Sequence, residues 1–300
     1  MGSDLRIVDP HVHLWDLSRA RYGWLQDEPL PNNPAGDMSP IAHRDYLLDG
    51  YRADTSGWHI DKIVHVEAGQ PIGQQLAETD WLQAMANDGG YPQAIVAGAD
   101  LLDPDLDALL EAHAARPNVR GIRQIVCWHA DPLKTYTDRD LLRDPAWVAG
   151  LGKLARHALS FDLQIYPSQM ATAAIVASRL PDVPMIVNHA GLPTDRDAAG
   201  MERWRTGLRL LAAQPQISIK ISGLGITDRN WTAASIRPIV LECIEAFGPD
   251  RAMFASDFPV ERVHGDFDAF YSAFDAITAD FSTSEREMLF AGAAEATYHI

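Results

Sequence analysis

The sequence is poor in basic residues relative to acidic ones. Lys and Arg number 25 against 41 Asp and Glu, which gives a formal net charge of −16. Nucleic acids and anionic membranes bind proteins through cationic surfaces that neutralise phosphates. No run of Lys or Arg occurs, so we expect neither a nucleic acid nor a membrane as a partner.

Disulfides and membrane spans are also not expected. The two cysteines, Cys127 and Cys243, cannot build a disulfide framework, and no C-x-x-C motif is present. No apolar run approaches the roughly 20 residues of a transmembrane helix, and the first residues lack the apolar stretch of a secretory signal. These features predict a cytoplasmic protein with reduced thiols.

Short apolar runs alternate with amphipathic segments along the chain. Hydrophobic residues make up 47% of the 300 residues and charged residues 22%, as is typical of a folded globular protein. Eight short runs bounded by Gly, Pro or Asp predict strands at 5–8, 62–66, 94–99, 119–126, 161–165, 185–187, 217–221 and 252–255. Helical patterns between them cover 73–87, 105–114, 145–158, 169–180, 201–213 and 233–247.

This alternation predicts a parallel α/β fold, because strand–helix–strand units place parallel strands side by side. Eight strands match a single (β/α)8 TIM barrel, which we expect to form one domain over residues 1–300. A doubly wound open sheet is the alternative. Doubly wound sheets that bind dinucleotides carry a G-x-G-x-x-G motif after the first strand. This sequence has no such motif there, so the alternative is less favoured.

Two additions to the barrel are predicted. Residues 15–40 form a long loop after the first strand that carries Trp15, Trp24 and several prolines, and we expect it to cover the mouth of the barrel. At the other end of the chain, 267–277 and 284–299 read as extra helices, and Ser284 and Glu287 have the spacing of a capping box.

The candidate functional residues lie where strands end, because active sites of such barrels are built at the carboxyl ends of the strands. His11 and His13 follow the first strand and point to one side of it, since side chains alternate. His189 follows the sixth strand and Asp257 the eighth. Together these are ligand types for Zn²⁺ or a similar ion, and Asp257 could instead act as a general base.

Structural roles remain open for the same residues. The two histidines of an H-x-H pair could simply bond to backbone groups, and an Asp before Pro259 could cap a turn. Arg123 could bind a carboxylate or a polarised carbonyl, or pair inside the barrel with Glu67. Lys220 could be a buried partner or reach the surface.

The motifs together resemble the amidohydrolase superfamily. D-P-H-V-H, N-H-A-G and S-D-F-P end the first, sixth and eighth strands, and H-V-E-A, R-G-I-R and K-I-S-G-L lie on the second, fourth and seventh. The sequence is most similar to the lactonase branch, which includes sugar-acid lactonases and a pyrone dicarboxylate lactonase. The resemblance covers residues 5–298 and implies a TIM-barrel hydrolase that opens a small cyclic ester by water attack.

The resemblance also implies roles for individual residues. Asp257 would activate the water, while His189 and Arg123 would polarise the carbonyl of a small-molecule substrate. The metal ligands would be His11, His13, His189 and Asp257. The expected substrate-binding residues are Trp15, Glu67, Gln124, Trp128, Gln164 and Tyr166.

The chain departs from the two-metal members of the superfamily. Those members use a carboxylated Lys or a Glu at the end of the fourth strand and a His after the fifth. This sequence has Arg123 and Gln124 on the fourth strand, and Gln164 and Tyr166 on the fifth. We therefore expect one divalent ion, Zn²⁺ for example, or none.

Two other functions remain open. A related branch with a divalent metal catalyses decarboxylation, and a barrel without activity could serve as a binding module. Three histidines and an aspartate from separate strands favour an enzyme, because a binding role does not require that set. The sequence leaves the oligomeric state open, a homo-oligomer included.

Overall fold

The computed structural model describes residues 5–300 and contains one eight-stranded parallel sheet. Each strand is hydrogen-bonded to the next one in chain order. The strands are β1 (Arg6–Val12), β2 (His59–Val66), β3 (Ala94–Gly98), β4 (Val119–Arg123), β5 (Ser160–Leu163), β6 (Met185–Val187), β7 (Ile217–Ile221) and β8 (Ala252–Phe254).

The sheet closes into a barrel where the ends of β1 and β8 meet. Val12 forms a parallel bridge with Phe258. The Asp257 amide donates to the His11 carbonyl at 2.9 Å, and the His13 amide donates to the Phe258 carbonyl at 2.8 Å. The predicted (β/α)8 barrel is thus confirmed, and its closing seam lies among the candidate functional residues.

Helices follow the strands in the predicted order. They are α1 (Gly23–Gln26), α2 (Leu48–Asp54), α3 (Gln75–Gly89), α4 (Leu106–Ala114), α5 (Pro145–Gly152), α6 (Met170–Arg179), α7 (Ala198–Ala212), α8 (Leu224–Thr227), α9 (Ala233–Phe247), α10 (Phe267–Ile277), α11 (Thr283–Glu287) and α12 (Ala293–Tyr298). Within residues 5–300, no helix combines the length and apolar character needed to cross a bilayer.

Several local predictions need correction. The fourth strand ends at Arg123 and not at 126, and the helix predicted over 145–158 ends at Gly152 and continues as a 3-10 turn. The capping box is formed by Ser282 and Glu285, two residues earlier than the proposed pair Ser284 and Glu287. The physical reason is that the Ser282 side chain accepts from the Glu285 amide, while Glu285 accepts from the Ser282 amide.

The C-terminal helices close the amino-terminal end of the barrel. Tyr298 and a group of alanines pack against inward-facing residues such as Val8 and Val64. Arg6, at the start of β1, pairs with Glu295 at 2.8 Å and with Glu287 at 2.7 Å. The bottom of the barrel is therefore plugged, and access to the interior is left at the opposite end.

A buried ion pair crosses the interior between β5 and β7. Lys220 donates to Asp162, and both side chains are fully buried. Asp162 also accepts from the Tyr298 hydroxyl and from the Asn188 amide, each at 2.9 Å. Lys220 is thus a buried partner and not a surface residue, and burial lowers the pKa of its ammonium against the opposing effect of Asp162.

Replacing Lys220 by Met should destabilise the protein by about 3–5 kcal/mol, because it leaves the Asp162 carboxylate buried without its cation. Chemical unfolding of the purified variant measures this. The double replacement Lys220→Met and Asp162→Asn removes both charges and should recover a large part of the loss. A single variant as stable as the wild type would contradict the importance of this pair.

Candidate active site

A cavity of about 260 Å³ opens at the carboxyl ends of the strands. Candidate residues at the ends of five strands contribute to it: His13, Arg123, Gln164, His189 and Asp257. Its wall is formed by His13, Trp24, Asn32, Asn33, Pro34, Ala35, Ala68, Gly69, Arg123, Ile125, Tyr136, Gln164, His189, Ile226, Asp257 and Val260. Side chains from several strand ends thus line one cavity, and their roles stay a prediction.

His13, directly after β1, is held in a defined tautomer. His13 Nδ1 lies 2.7 Å from the Val66 carbonyl, which can only accept, so this nitrogen carries the proton. His13 Nε2 then presents a lone pair, and it lies 3.2 Å from His11 Nε2 and 3.2 Å from Asp257 Oδ1. A ring nitrogen that donates to a backbone carbonyl is the usual second contact of a metal-binding histidine.

Asp257 presents one carboxylate oxygen without a protein partner. Oδ1 faces His11 and His13, whereas Oδ2 is buried and has no hydrogen bond within the described part of the chain. Burial raises the pKa of this carboxyl, against the attraction of His189 and Arg123. The backbone at Asp257 is left-handed, with φ of +59°. Such strained conformations of non-glycine residues occur mostly at functional sites.

His189 begins an unusual left-handed turn. The φ angles of His189, Ala190, Gly191 and Leu192 are +54°, +52°, +70° and +46°. Each non-glycine residue in this region costs roughly 1–2 kcal/mol, so contacts must hold the turn. Trp204 Nε1 donates to the Ala190 carbonyl at 2.8 Å, and Ser222 Oγ lies 3.1 Å from His189 Nδ1.

The three imidazoles are neutral at neutral pH. Burial lowers the pKa of His11 and His13 well below the ordinary value, and it lowers the pKa of His189 to about 4. The nearby cations Arg123 and Lys220 act in the same direction. Neutral imidazoles can ligate a metal ion or form hydrogen bonds with a polar substrate.

Arg123 forms an ion pair with Glu67 and also lines the cavity. Its Nε donates to Glu67 Oε1 at 2.6 Å, and its Nη2 donates to the Glu67 carbonyl at 2.6 Å. Nη1 has only long contacts, 3.4 Å to His11 and 3.5 Å to Gln164. The ion pair with Glu67 therefore orients the guanidinium and leaves one nitrogen directed at the cavity.

The residues fit a single divalent metal ion. His11, His189 and Asp257 each offer a ligand atom, and these atoms lie within 4.8 Å of one another. Two buried atoms near this point, His11 Nδ1 and Asp257 Oδ2, have no partner among residues 5–300. Nitrogen and carboxylate donors suit Zn²⁺.

The loop after β1 forms one wall of the cavity, as expected. Asn32 and Asn33 line it, and Trp24 does so while its Nε1 donates to the Ala68 carbonyl at 2.9 Å. Trp15 lies behind this wall, fully buried and edge-on to Trp24. Trp15 thus supports the wall without facing the cavity.

Besides Trp15, five residues singled out in the sequence are absent from this cavity wall: His11, Glu67, Gln124, Trp128 and Tyr166. Gln124 follows Arg123 and points to the opposite side of the strand, where it accepts from Trp147 Nε1 at 2.8 Å. The Tyr166 hydroxyl donates to the Lys134 carbonyl, and Trp128 is not among the lining residues. Glu67 contributes through Arg123, whereas Gln164 lines the cavity directly.

Several lining residues were not identified from the sequence. Asn32, Asn33 and Tyr136 lie in loops far from any strand end, and Ile226 lies in the short helix α8. Hydrophobic periodicity predicts helices and strands but not which loop residues line a cavity. The loop after the first strand could have been searched for amides. Closeness to a strand end favoured Tyr166, but of the two tyrosines only Tyr136 lines the cavity.

Comparison with known proteins identifies the family. The amidohydrolase family profile matches residues 8–300. The uncharacterized protein y4mH of Sinorhizobium fredii is 43% identical over 99% of this chain and 100% of its own length. An L-fucono-1,5-lactonase of Burkholderia multivorans is 29% identical, over 97% of this chain and 95% of the relative.

The fold agrees with a solved relative. The crystal structure of an amidohydrolase from Burkholderia multivorans with bound zinc superposes with a TM-score of 0.81 at 26% identity, covering 99% of this chain and 100% of that one. The chain belongs to the amidohydrolase family and is a hydrolase, which confirms the resemblance found in its motifs.

We expect at most one tightly bound divalent ion per chain. Protein stripped with a chelator and reloaded with Zn²⁺ should bind one equivalent by elemental analysis, and His11→Ala should weaken this binding strongly. His43→Ala, which removes an exposed histidine, is the matched control and should bind as the wild type does. Two equivalents of bound Zn²⁺ would contradict the site as described.

Gly223→Ala should impair activity by displacing His189. Gly223 is left-handed, with φ of +64°, and a Cβ there would lie 2.5 Å from the His189 Cβ. Gly90→Ala is the control, because Gly90 has φ of +75° and open space around the added methyl. Both variants should lose about 1–2 kcal/mol of stability, but only the first should lose kcat. Equal kcat values would show that His189 is not positioned by this contact.

Proposed function

We propose that this enzyme opens a neutral lactone of a sugar acid by attack of an activated water. The observation that supports this is the buried Oδ2 of Asp257, which has no hydrogen-bond partner among residues 5–300 and lies 3.9 Å from His189 Nδ1. Arg123 Nη1, whose contacts are long, also faces this cavity. The likeness to an L-fucono-1,5-lactonase, at 29% identity over nearly the whole chain, supports this class of reaction.

Asp257 acts as the general base. Its carboxylate takes a proton from the water that attacks the lactone carbonyl, and the raised pKa brings it closer to neutral pH, where such a base works best. A divalent ion bound by His11, His189 and Asp257 would supply Lewis-acid polarisation at the same place.

Arg123 and His189 stabilise the oxyanion that forms at the carbonyl oxygen. Arg123 is suited because Glu67 fixes its orientation before substrate binds. Donors that are already oriented need no reorganisation during the reaction, and one such donor contributes roughly 100- to 1,000-fold.

The charge of the cavity favours a neutral substrate over an aromatic-breakdown dicarboxylate. Arg123 is the only Lys or Arg among the lining residues, and Glu67 already pairs with it at 2.6 Å. A dicarboxylate would need further cations. The amides of Asn32, Asn33 and Gln164, together with the Trp24 ring, suit hydroxyl groups and the apolar face of a sugar ring.

A lactone panel with a pH indicator tests this function, because ring opening releases an acid. Neutral five- and six-membered sugar-acid lactones should be hydrolysed, and pyrone dicarboxylates should not. Release of CO₂ from a carboxylated substrate, in place of ring-opened acid, would support the decarboxylase alternative instead. Lack of turnover with every lactone would refute the proposal.

Asp257→Asn should reduce kcat at least about 100-fold while thermal unfolding stays close to that of the wild type, because Asn keeps the size but cannot take a proton. Asp100→Asn is the control. It changes a carboxylate at another strand end whose Oδ1 accepts from Gln124, and it should keep kcat. If kcat of Asp257→Asn falls less than about tenfold, Asp257 is not the base.

A further inference from the structure

Tyr136 places a phenol in the cavity that the proposed mechanism does not yet use. The residue lies in the loop after β4, and its amide donates to the Cys127 carbonyl at 3.0 Å. Its side chain lines the same cavity as Asp257, His189 and Arg123. Within residues 5–300, its hydroxyl forms no hydrogen bond with another residue.

Tyr166 offers a direct contrast. Both tyrosines pack with Cys127 in one small apolar cluster. The Tyr166 hydroxyl, however, donates to the Lys134 carbonyl at 2.5 Å, and its ring meets His129 edge-on. Of these two neighbouring phenols, only that of Tyr136 is free to meet a ligand.

The Tyr136 hydroxyl is a donor at neutral pH. Burial raises the pKa of this phenol well above the ordinary value, and the negative charge of Asp257 raises it further. A protonated phenol without a protein acceptor can give its hydrogen bond to a substrate oxygen.

Lactone opening needs such a donor. After water adds, the bond between the carbonyl carbon and the ring oxygen breaks, and negative charge develops on the ring oxygen. In the proposed mechanism Asp257 takes a proton from the water, and Arg123 and His189 stabilise the negative charge on the carbonyl oxygen. No side chain has so far been assigned to the leaving oxygen.

We propose that Tyr136 donates a hydrogen bond to the ring oxygen of the lactone as that oxygen leaves. This inference rests on the proposed function. The proton that Asp257 took from the water passes to the ring oxygen, which becomes the product hydroxyl. The new carboxylic acid then releases its proton to solvent, so the reaction consumes one water and no other reagent.

The experiment compares Tyr136→Phe with Tyr166→Phe, both as full-length protein with its metal content matched to the wild type. Tyr136→Phe should lower kcat at least tenfold with a KM within about threefold, because the donor acts on charge that develops after binding. Tyr166→Phe should keep kcat. Thermal unfolding of both variants separates loss of function from loss of fold.

A series of leaving groups provides a readout that a merely structural role would not change. An aliphatic lactone releases a poor alkoxide and needs the donor, whereas an aryl lactone releases a phenolate and needs it less. The deficit of Tyr136→Phe should therefore be large for aliphatic lactones and small for an aryl lactone. An equal deficit for both, or none, would overturn the inference.

Activity of the wild type and activity of the variants distinguish failure of the proposed function from failure of the role of Tyr136. If the wild type hydrolyses no lactone, the proposed function is refuted and this inference with it. If the wild type is active and Tyr136→Phe matches it, or if Tyr166→Phe is equally impaired, only the role of Tyr136 is refuted.

Discussion

The hydrogen bonds that close the barrel between β1 and β8 organise the site. The amide of Asp257 donates to His11, and the amide of His13 donates to Phe258, so the two segments that carry the chemistry are joined by backbone. Their side chains then have little freedom, and the carboxylate is held 3.2 Å from His13 Nε2. Precise placement on strand ends is what a catalytic carboxylate requires.

Buried charge is the second constraint on this barrel. Two ion pairs, Arg123 with Glu67 and Lys220 with Asp162, lie inside it. Further hydrogen bonds hold Arg123, Glu67 and Asp162, and the Lys220 ammonium also lies over the Tyr298 ring. Burial keeps the histidines neutral, so that a positive charge does not accumulate beside Arg123. Arg123, the only Lys or Arg on the cavity wall, is already paired with Glu67, which agrees with the uncharged ring that we propose as substrate.

The sequence predicted the fold and the strand-end residues because both follow from periodicity. Eight short runs define the barrel, and the barrel places His11, His13, His189 and Asp257 together. Periodicity does not predict which loop residues face the cavity. Tyr136 lines it because of how the loop after β4 packs in three dimensions. Gln124 was misplaced because alternation along β4 turns it outward once Arg123 faces inward. The left-handed turn at His189 has no local sequence signal either, apart from Gly191.

The central claim is that Asp257 activates a water that attacks the carbonyl carbon directly. A single turnover in water labelled with heavy oxygen, followed by mass spectrometry of the product, tests it. The account predicts one labelled oxygen in the new carboxylate and none in the product hydroxyl. An unlabelled product after the first turnover, with the label incorporated into Asp257 in that same turnover, would show a covalent anhydride between Asp257 and the substrate acid and contradict the general-base role.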